Sequence, residues 1–296
     1  MRHQRVTLST GVALDVWSAG ERKNPPILFL HGFPESHRTW RHQIAALSAT
    51  HYCIAPDQRG YAGSDKPAEI SDYGVPKLIA DVFALADALG IGRFTLVGHD
   101  WGGAIAWAAA LKDQARVERL IQCNAAHPYV FQRTLIFDQA QRAASQYIRQ
   151  FRERDIESEV AAKGVDWFFS DRFESKLSAG TISADDRAAT LAEWSQPGAI
   201  RGMINWYRAS PMQVPKVNAP MEMTPFLERP FPKLTMPVLV IWGMRDDALH
   251  PCQLAGLEDH INELTIERID GAGHFVPWEA PELVSRAMIH WLGAHP

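Results

Sequence analysis

The sequence predicts an α/β fold: a mostly parallel central sheet flanked by helices, with a helical insertion. Three observations predict it. Short apolar runs alternate with amphipathic segments of helical period over residues 1–127. The alternation resumes over residues 232–296. Residues 128–231 between them show helical spacing and no strand-like run. Strand and helix alternating at this pace give a parallel sheet covered on both faces. The expected division is a core made of 1–127 and 232–296, with 128–231 inserted over it.

The elements follow in order. Residues 12–17 read as a half-exposed strand. Pro26-Ile27-Leu28-Phe29-Leu30 is a continuous apolar run, as in a buried parallel strand. Residues 40–47 form an amphipathic helix, and 52–57 a second buried strand. Leu78, Val82, Leu85 and Leu89 share one face of a helix over 75–89. Residues 93–98 are an apolar strand, 102–111 a helix of small residues, and 117–123 another strand. In the insertion, aromatics such as Tyr147, Phe151, Trp167, Trp194, Trp206 and Tyr207 are interspersed among Arg, Gln, Glu and Ala. Prolines then punctuate the return. Residues 236–243 and 264–269 are strands, and 281–292 a closing helix.

Bulk composition narrows the function. The 296 residues are 46% hydrophobic and 22% charged, with a formal net charge of -4. That is the make-up of an ordinary soluble domain large enough to bury its own core. No basic stripe suggests nucleic acid as a partner. Three widely spaced cysteines without C-x-x-C argue against a disulfide framework and a zinc site. The N-terminus has no apolar signal core, and the longest apolar stretches are too short to span a bilayer. The expectation is a cytoplasmic protein without membrane, metal or cofactor, acting on a small organic molecule with water. The oligomeric state stays open between monomer and homodimer.

The chemistry is concentrated at strand ends. Gly98-His99-Asp100-Trp101-Gly102-Gly103 lies where a buried strand meets a small-residue helix. This is the G-x-nucleophile-x-G elbow, with Asp100 where an esterase carries Ser. Glycines remove side chains at the crossing of strand and helix, and the helix N-terminus favours an anion. A carboxylate, Asp246, follows the strand ending at Gly243, with Asp247 as its neighbour and rival. His274 is framed by Gly271-Ala272-Gly273. The order nucleophile, acid, His belongs to one fold in particular. His31-Gly32-Phe33-Pro34-Glu35 follows the first buried strand, so the backbone N–H groups of Phe33 and Trp101 are candidate oxyanion donors. The tight turn there suggests a cis bond before Pro34.

These motifs resemble an epoxide hydrolase of the α/β-hydrolase fold, in the group that includes haloalkane and fluoroacetate dehalogenases. The resemblance runs the full length. It includes Trp40-Arg41-His42-Gln43 and Asp57-Gln58-Arg59-Gly60-Tyr61-Ala62-Gly63-Ser64. It implies a helical cap with two tyrosines that donate to the epoxide oxygen. Ile204-Asn205-Trp206-Tyr207-Arg208 is similar to one such segment and Gln146-Tyr147-Ile148-Arg149-Gln150-Phe151 to the other. Where the family often continues into Gln-x-Pro-Gly, this chain reads Arg152-Glu153-Arg154-Asp155. The family spacing Gly-x-x-Asp selects Asp246 as the acid.

The implied machinery is Asp100 as nucleophile, His274 as base, Asp246 as acid, and Tyr207 and Tyr147 as proton donors. His31, Pro34, Trp101 and Trp206 are candidate substrate-contacting residues. A haloalkane dehalogenase would share Asp100, His274 and Asp246 and use Trp101 as a halide donor, but Phe33 stands where its Asn is expected. A fluoroacetate dehalogenase would set Arg beside the nucleophile, where this chain has Trp101 and Ala104. A non-catalytic ligand-binding protein of this fold would be expected to lose one of the three reacting residues.

Overall fold

The computed structural model describes residues 1–177 and 180–296. Eight strands form one sheet in the order β1-β2-β4-β3-β5-β6-β7-β8. They are β1 (Arg2–Thr7), β2 (Ala13–Ala19), β3 (Pro26–Leu30), β4 (Tyr52–Pro56), β5 (Phe94–His99), β6 (Val117–Cys123), β7 (Leu234–Gly243) and β8 (Ile261–Ile269). β1, β2 and β4 pair antiparallel, and all pairings from β4 through β3 to β8 are parallel.

Side chains along a strand alternate between faces, and here they feed two apolar layers. Leu28, Leu30, Leu96, Leu120, Val238 and Val240 face one layer. Ile27, Phe29, Val97, Ile121, Leu239 and Ile241 face the other. The second layer is covered by α1 (Arg41–Leu47) and, at the end of the chain, by Val284, Met288, Trp291 and Leu292 of the closing helix. The first is covered by α2 (Val75–Ala88) and α3 (Asp100–Lys112). Ala106, Ala109 and Ala110 are fully buried, which brings α3 close to β5 and β6.

Between β6 and β7 lie α4 (Pro128–Phe137), α5 (Gln139–Ala144), α6 (Gln146–Glu153), α7 (Ile156–Lys163), α8 (Val165–Arg172), α9 (Ala184–Trp194), α10 (Ala199–Ala209) and α11 (Pro225–Glu228). Short polar residues start several of them. Asp138 accepts from Gln141 N at 2.8 Å, Asp155 from Ser158 N at 3.0 Å and Ser183 from Asp186 N at 3.0 Å. These helices are tied to the sheet side by Arg38–Glu193 (3.1 Å), Arg41–Asp186 (3.5 Å) and the Trp206 indole donating to Arg59 O (2.9 Å). After β8 come α12 (Val276–Glu279) and α13 (Pro281–Ala294).

One strand went unread in the sequence and one helix boundary needs correction. β1 shows no apolar alternation, because it is the sheet's outer strand and five of its six residues are exposed. Nothing in its burial writes a strand pattern. α3 begins at Asp100 rather than Gly102, because the helical turn starts within the elbow itself.

Candidate active site

Five residues that meet here sit at or just after the carboxyl ends of parallel strands: Phe33 after β3, Asp100 after β5, Asn124 after β6, Asp246 after β7 and His274 after β8. That edge of an open α/β sheet is where loops from many strands converge.

Asp100 starts α3 with φ of 49°, in the left-handed region. The turn is enforced by close approach on both sides. A Cβ at Gly98 would sit 2.4 Å from Gly103 Cα, and one at Gly102 would sit 2.3 Å from the carbonyl oxygens of Leu30 and His31. The carboxylate is thereby raised to the top of the sheet. Its Oδ1 accepts from Phe33 N at 2.7 Å, and its Oδ2 lies 3.5 Å from His274 Nε2. Trp101 N–H is in the first turn of α3, where backbone donors have no partner within the helix. The Phe33–Pro34 bond is cis.

His274 Nδ1 lies 2.8 Å from Asp246 Oδ2. Asp247 points elsewhere, forming an exposed pair with Lys176 at 3.1 Å. Asp246 has every lone pair occupied: Oδ1 accepts from Ala248 N (2.8 Å) and Leu249 N (2.7 Å), and Oδ2 also accepts from Asn124 Nδ2 (2.7 Å). Burial opposes a charged His274, but the Asp246 and Asp100 carboxylates outweigh it and hold its pKa well above the usual value. Burial likewise opposes a charged Asp100. The contact with His274, the His99 charge and the Phe33 N–H overcome this and lower its pKa.

Two cavities meet over Asp100. One, of about 210 Å³, is lined by Phe33, Phe151, His274 and Phe275 and reaches the charged residues Asp171, Arg172, Lys176 and Asp247. The other, of about 80 Å³, is lined by Trp101, Phe131, Ile148, Met212 and Leu249. Three residues line both: Asp100, Tyr147 and Tyr207. Tyr207 stands edge-on to Phe33 and to Trp101, each at 5.1 Å between ring centres, and to Tyr147 at 6.0 Å. Burial raises the pKa of both phenols, and Asp100 adds to the effect, so both stay protonated.

The chain matches the family described as the alpha/beta hydrolase fold over residues 25–281. The chain belongs to the α/β-hydrolase family. It is similar to a structure of novel epoxide hydrolases of that superfamily from metagenomes of hot environments, with 49% identity, TM-score 0.93, and 99% and 98% of the two chains covered. A point mutant of a Bacillus megaterium epoxide hydrolase, solved with its product (R)-3-(1-naphthyloxy)propane-1,2-diol, is 30% identical with TM-score 0.87, covering 98% of this chain and 100% of that one. Epoxide hydrolase 2 of Caenorhabditis elegans is 31% identical over 88% of this chain and 71% of its own length. This hydrolase therefore sits in the epoxide hydrolase group of the family.

Three residues expected to contact substrate lie outside both cavities. His31 is fully buried, with Nε2 accepting from Gln58 N at 3.1 Å, and lines neither cavity. Pro34 is buried and lines neither. Trp206 donates to Arg59 O and packs edge-on to Trp101 at 5.9 Å, supporting the wall from behind. Trp101 does line the smaller cavity.

The hydrolase also uses residues to which the sequence reading gave no role. Asn124, with φ of 39°, bridges Asp246 to β7 by accepting from Gly243 N at 2.7 Å. Glu279 accepts from Gly273 N (3.0 Å) and Phe275 N (3.1 Å), gripping the His274 loop on both sides. Glu35 and His99 form a fully buried pair beneath His274. Glu35 and His99 lay inside quoted motifs, and their charge in apolar surroundings was the available signal. Among the described residues, no group of three or more His, Cys, Asp or Glu side chains is arranged to hold a metal ion, and no helix is long and apolar enough to cross a membrane.

Proposed function

We propose that this hydrolase opens an epoxide to a vicinal diol through an ester of Asp100, with residues 128–231 acting as a cap that supplies the acid. The observation that carries this reading is that Asp100, Tyr147 and Tyr207 are the three residues common to both cavities. A carboxylate and two protonated phenols thus border the same space. An epoxide placed there meets a nucleophile on one side and donors on the other.

Asp100 Oδ1 is occupied by Phe33 N–H, which leaves Oδ2 to attack an epoxide carbon. The carbon–oxygen ring bond breaks as the new ester bond forms. The departing alkoxide is a strong base and takes a proton from Tyr147 or Tyr207, which recovers it from solvent. His274 then removes a proton from water, and that water attacks the Asp100 ester carbonyl. General-base help of this kind is typically worth about 10²–10⁴-fold. The oxyanion forms where Phe33 N–H already points, with Trp101 N–H as second donor. As the intermediate collapses, the His274 proton goes to the diol oxygen, and Asp100 gives up the second water proton to solvent, replacing the one the tyrosine took and restoring the carboxylate.

The electrostatics supply their own timing. In the free enzyme Asp100 and Asp246 both hold the His274 proton. Esterification removes the Asp100 charge and lowers the His274 pKa, so the ring releases its proton to solvent and is neutral at the step that needs a base.

Single turnover in heavy-oxygen water tests the route. Attack at the ester carbonyl puts the label into Asp100 and leaves the first diol unlabelled. Label in the first-turnover diol would exclude the ester. His274→Gln should still become alkylated and then accumulate as an adduct visible by mass spectrometry.

A further inference from the structure

Resting on that ester mechanism, we infer that Gln141 in α5 is a positioning residue for the general base, holding the loop that presents Asp246 to His274.

Gln141 is fully buried, yet its amide is engaged on both sides. Its Nε2 donates to Ala248 O at 2.8 Å and to Ser145 Oγ at 2.9 Å. Its Oε1 accepts from His250 N at 2.8 Å and from Gln253 Nε2 at 3.1 Å. The Ala248 carbonyl and the Leu249 N–H belong to one peptide unit. That unit accepts from Gln141 on one side and donates to Asp246 Oδ1, at 2.7 Å, on the other. The chain Gln141, peptide, Asp246, His274 is therefore continuous, and serial hydrogen bonds in a dry interior polarise one another. Gripping the peptide from behind strengthens the N–H that Asp246 receives and fixes the carboxylate on His274 Nδ1.

The anchor comes from the inserted helices rather than from the sheet. Asp138 fixes the Gln141 backbone by accepting its N–H at 2.8 Å, and Tyr147 follows six residues later, in α6. One short stretch thus carries a proposed proton donor for the first step and the clamp on the acid for the second. A substrate that shifts α5 and α6 shifts both.

Loss of the clamp leaves Ala248 O and His250 N–H unpaired in a partly buried loop, so Asp246 wanders and supports the imidazolium less. The test follows adduct formation and adduct hydrolysis separately, with phenyl glycidyl ether as probe. Gln141→Met should form adduct at close to the wild-type rate and hydrolyse it about 10–100-fold more slowly, the range seen when the hydrogen-bond partners behind metal-ligating histidines and carboxylates are removed. The acid limb of the hydrolysis step should also move to lower pH. Gln141→Glu keeps the acceptor and loses the donor to Ala248, so it should fall between the two. It reads the same quantities if Gln141→Met does not fold. Gln253→Met removes the neighbour on the far side, and it should lower the melting temperature without moving the limb. Wild-type hydrolysis and an unmoved limb in a destabilised Gln141→Met would overturn the inference, as would an equal displacement in Gln253→Met. Failure of the ester route looks different: no adduct in wild type or His274→Gln, which removes this inference along with it.

Discussion

Glu35 Oε2 lies 2.6 Å from His99 Nδ1, and the opposite nitrogen of that ring lies 2.8 Å from the carbonyl oxygen of His274. Both neighbours are acceptors, so both ring nitrogens donate and His99 is an imidazolium. Burial opposes that charge, and the Glu35 carboxylate outweighs it and raises the His99 pKa. His99 in turn overcomes burial at Glu35 and lowers its pKa. Glu35 also accepts from the Trp278 indole at 2.7 Å and from Gly32 N at 3.2 Å. One buried ion pair therefore joins the Phe33 loop, the elbow and the His274 loop.

Glu35→Gln should cost more than a surface charge would. Removing one partner of a buried pair typically costs about 3–5 kcal/mol, because the other charge is left uncompensated. The expected result is a lower melting temperature and slower ester hydrolysis, read by thermal unfolding and single turnover. Wild-type values in both would show that the pair supports neither loop.

Asp246→Asn and Asp247→Asn should separate sharply. The first replaces the acceptor of His274 Nδ1 with an amide and favours the wrong tautomer. Comparable changes in Ser-His-Asp sites cost about 10⁴-fold in turnover. The second breaks only an exposed pair with Lys176, worth about 0–1 kcal/mol. Steady-state kcat of both variants is the measurement, and the reverse ranking would move the acid to Asp247.

Tyr147→Phe/Tyr207→Phe should nearly abolish epoxide opening while keeping the fold, since Phe fills almost the same volume. Removing a donor to developing charge costs on the order of 2.7–4 kcal/mol, or about 10²–10³ in rate. Single variants should be partial if either hydroxyl suffices. Alkylation rates with an epoxide and a bromoalkane decide the issue. A double variant that opens epoxides at the wild-type rate while Trp101→Phe loses bromoalkane turnover would instead mark a dehalogenase.

His127 should make the protein acid-sensitive. It is fully buried ahead of α4, with neither ring nitrogen hydrogen-bonded, and stacks on His260 at 4.9 Å. Burial, with a smaller push from His260, takes its pKa down to about 3. Its folded pKa lies below its unfolded value, so between the two the unfolded chain binds the extra proton. Stability is intact above about pH 6.5 and falls as pH drops, by about 2 kcal/mol at pH 5. Denaturant unfolding at pH 7.5 and pH 5 should show this loss in the wild type and less of it in His127→Phe. Equal losses would place the sensitivity elsewhere.

The fold was legible because β3 and β5 are buried on both faces and so appear as short, mostly apolar runs. β1 was not, since an outer strand exposed along its length needs no pattern. In the site, Asp100, Asp246 and His274 stood out as polar residues next to glycines at strand ends, and the structure brings them into contact. Tyr147 and Tyr207 rested on resemblance to a family, because nothing local distinguishes a cavity-lining phenol from a core aromatic. His31, Pro34 and Trp206 lie outside both cavities, since proximity in sequence to a site does not say which way a side chain turns. Asn124, Glu279 and Gln141 were invisible: each acts through a partner far away in the chain, and an isolated amide or carboxylate gives no hint of it.

The left-handed backbone at Asp100 sets stability against activity at a single position. For a residue with a Cβ, that conformation costs roughly 1–2 kcal/mol, and glycine escapes the cost. Asp100→Gly should therefore give an inert protein that melts at a higher temperature than the working enzyme, so screening variants for heat resistance alone would favour discarding the nucleophile.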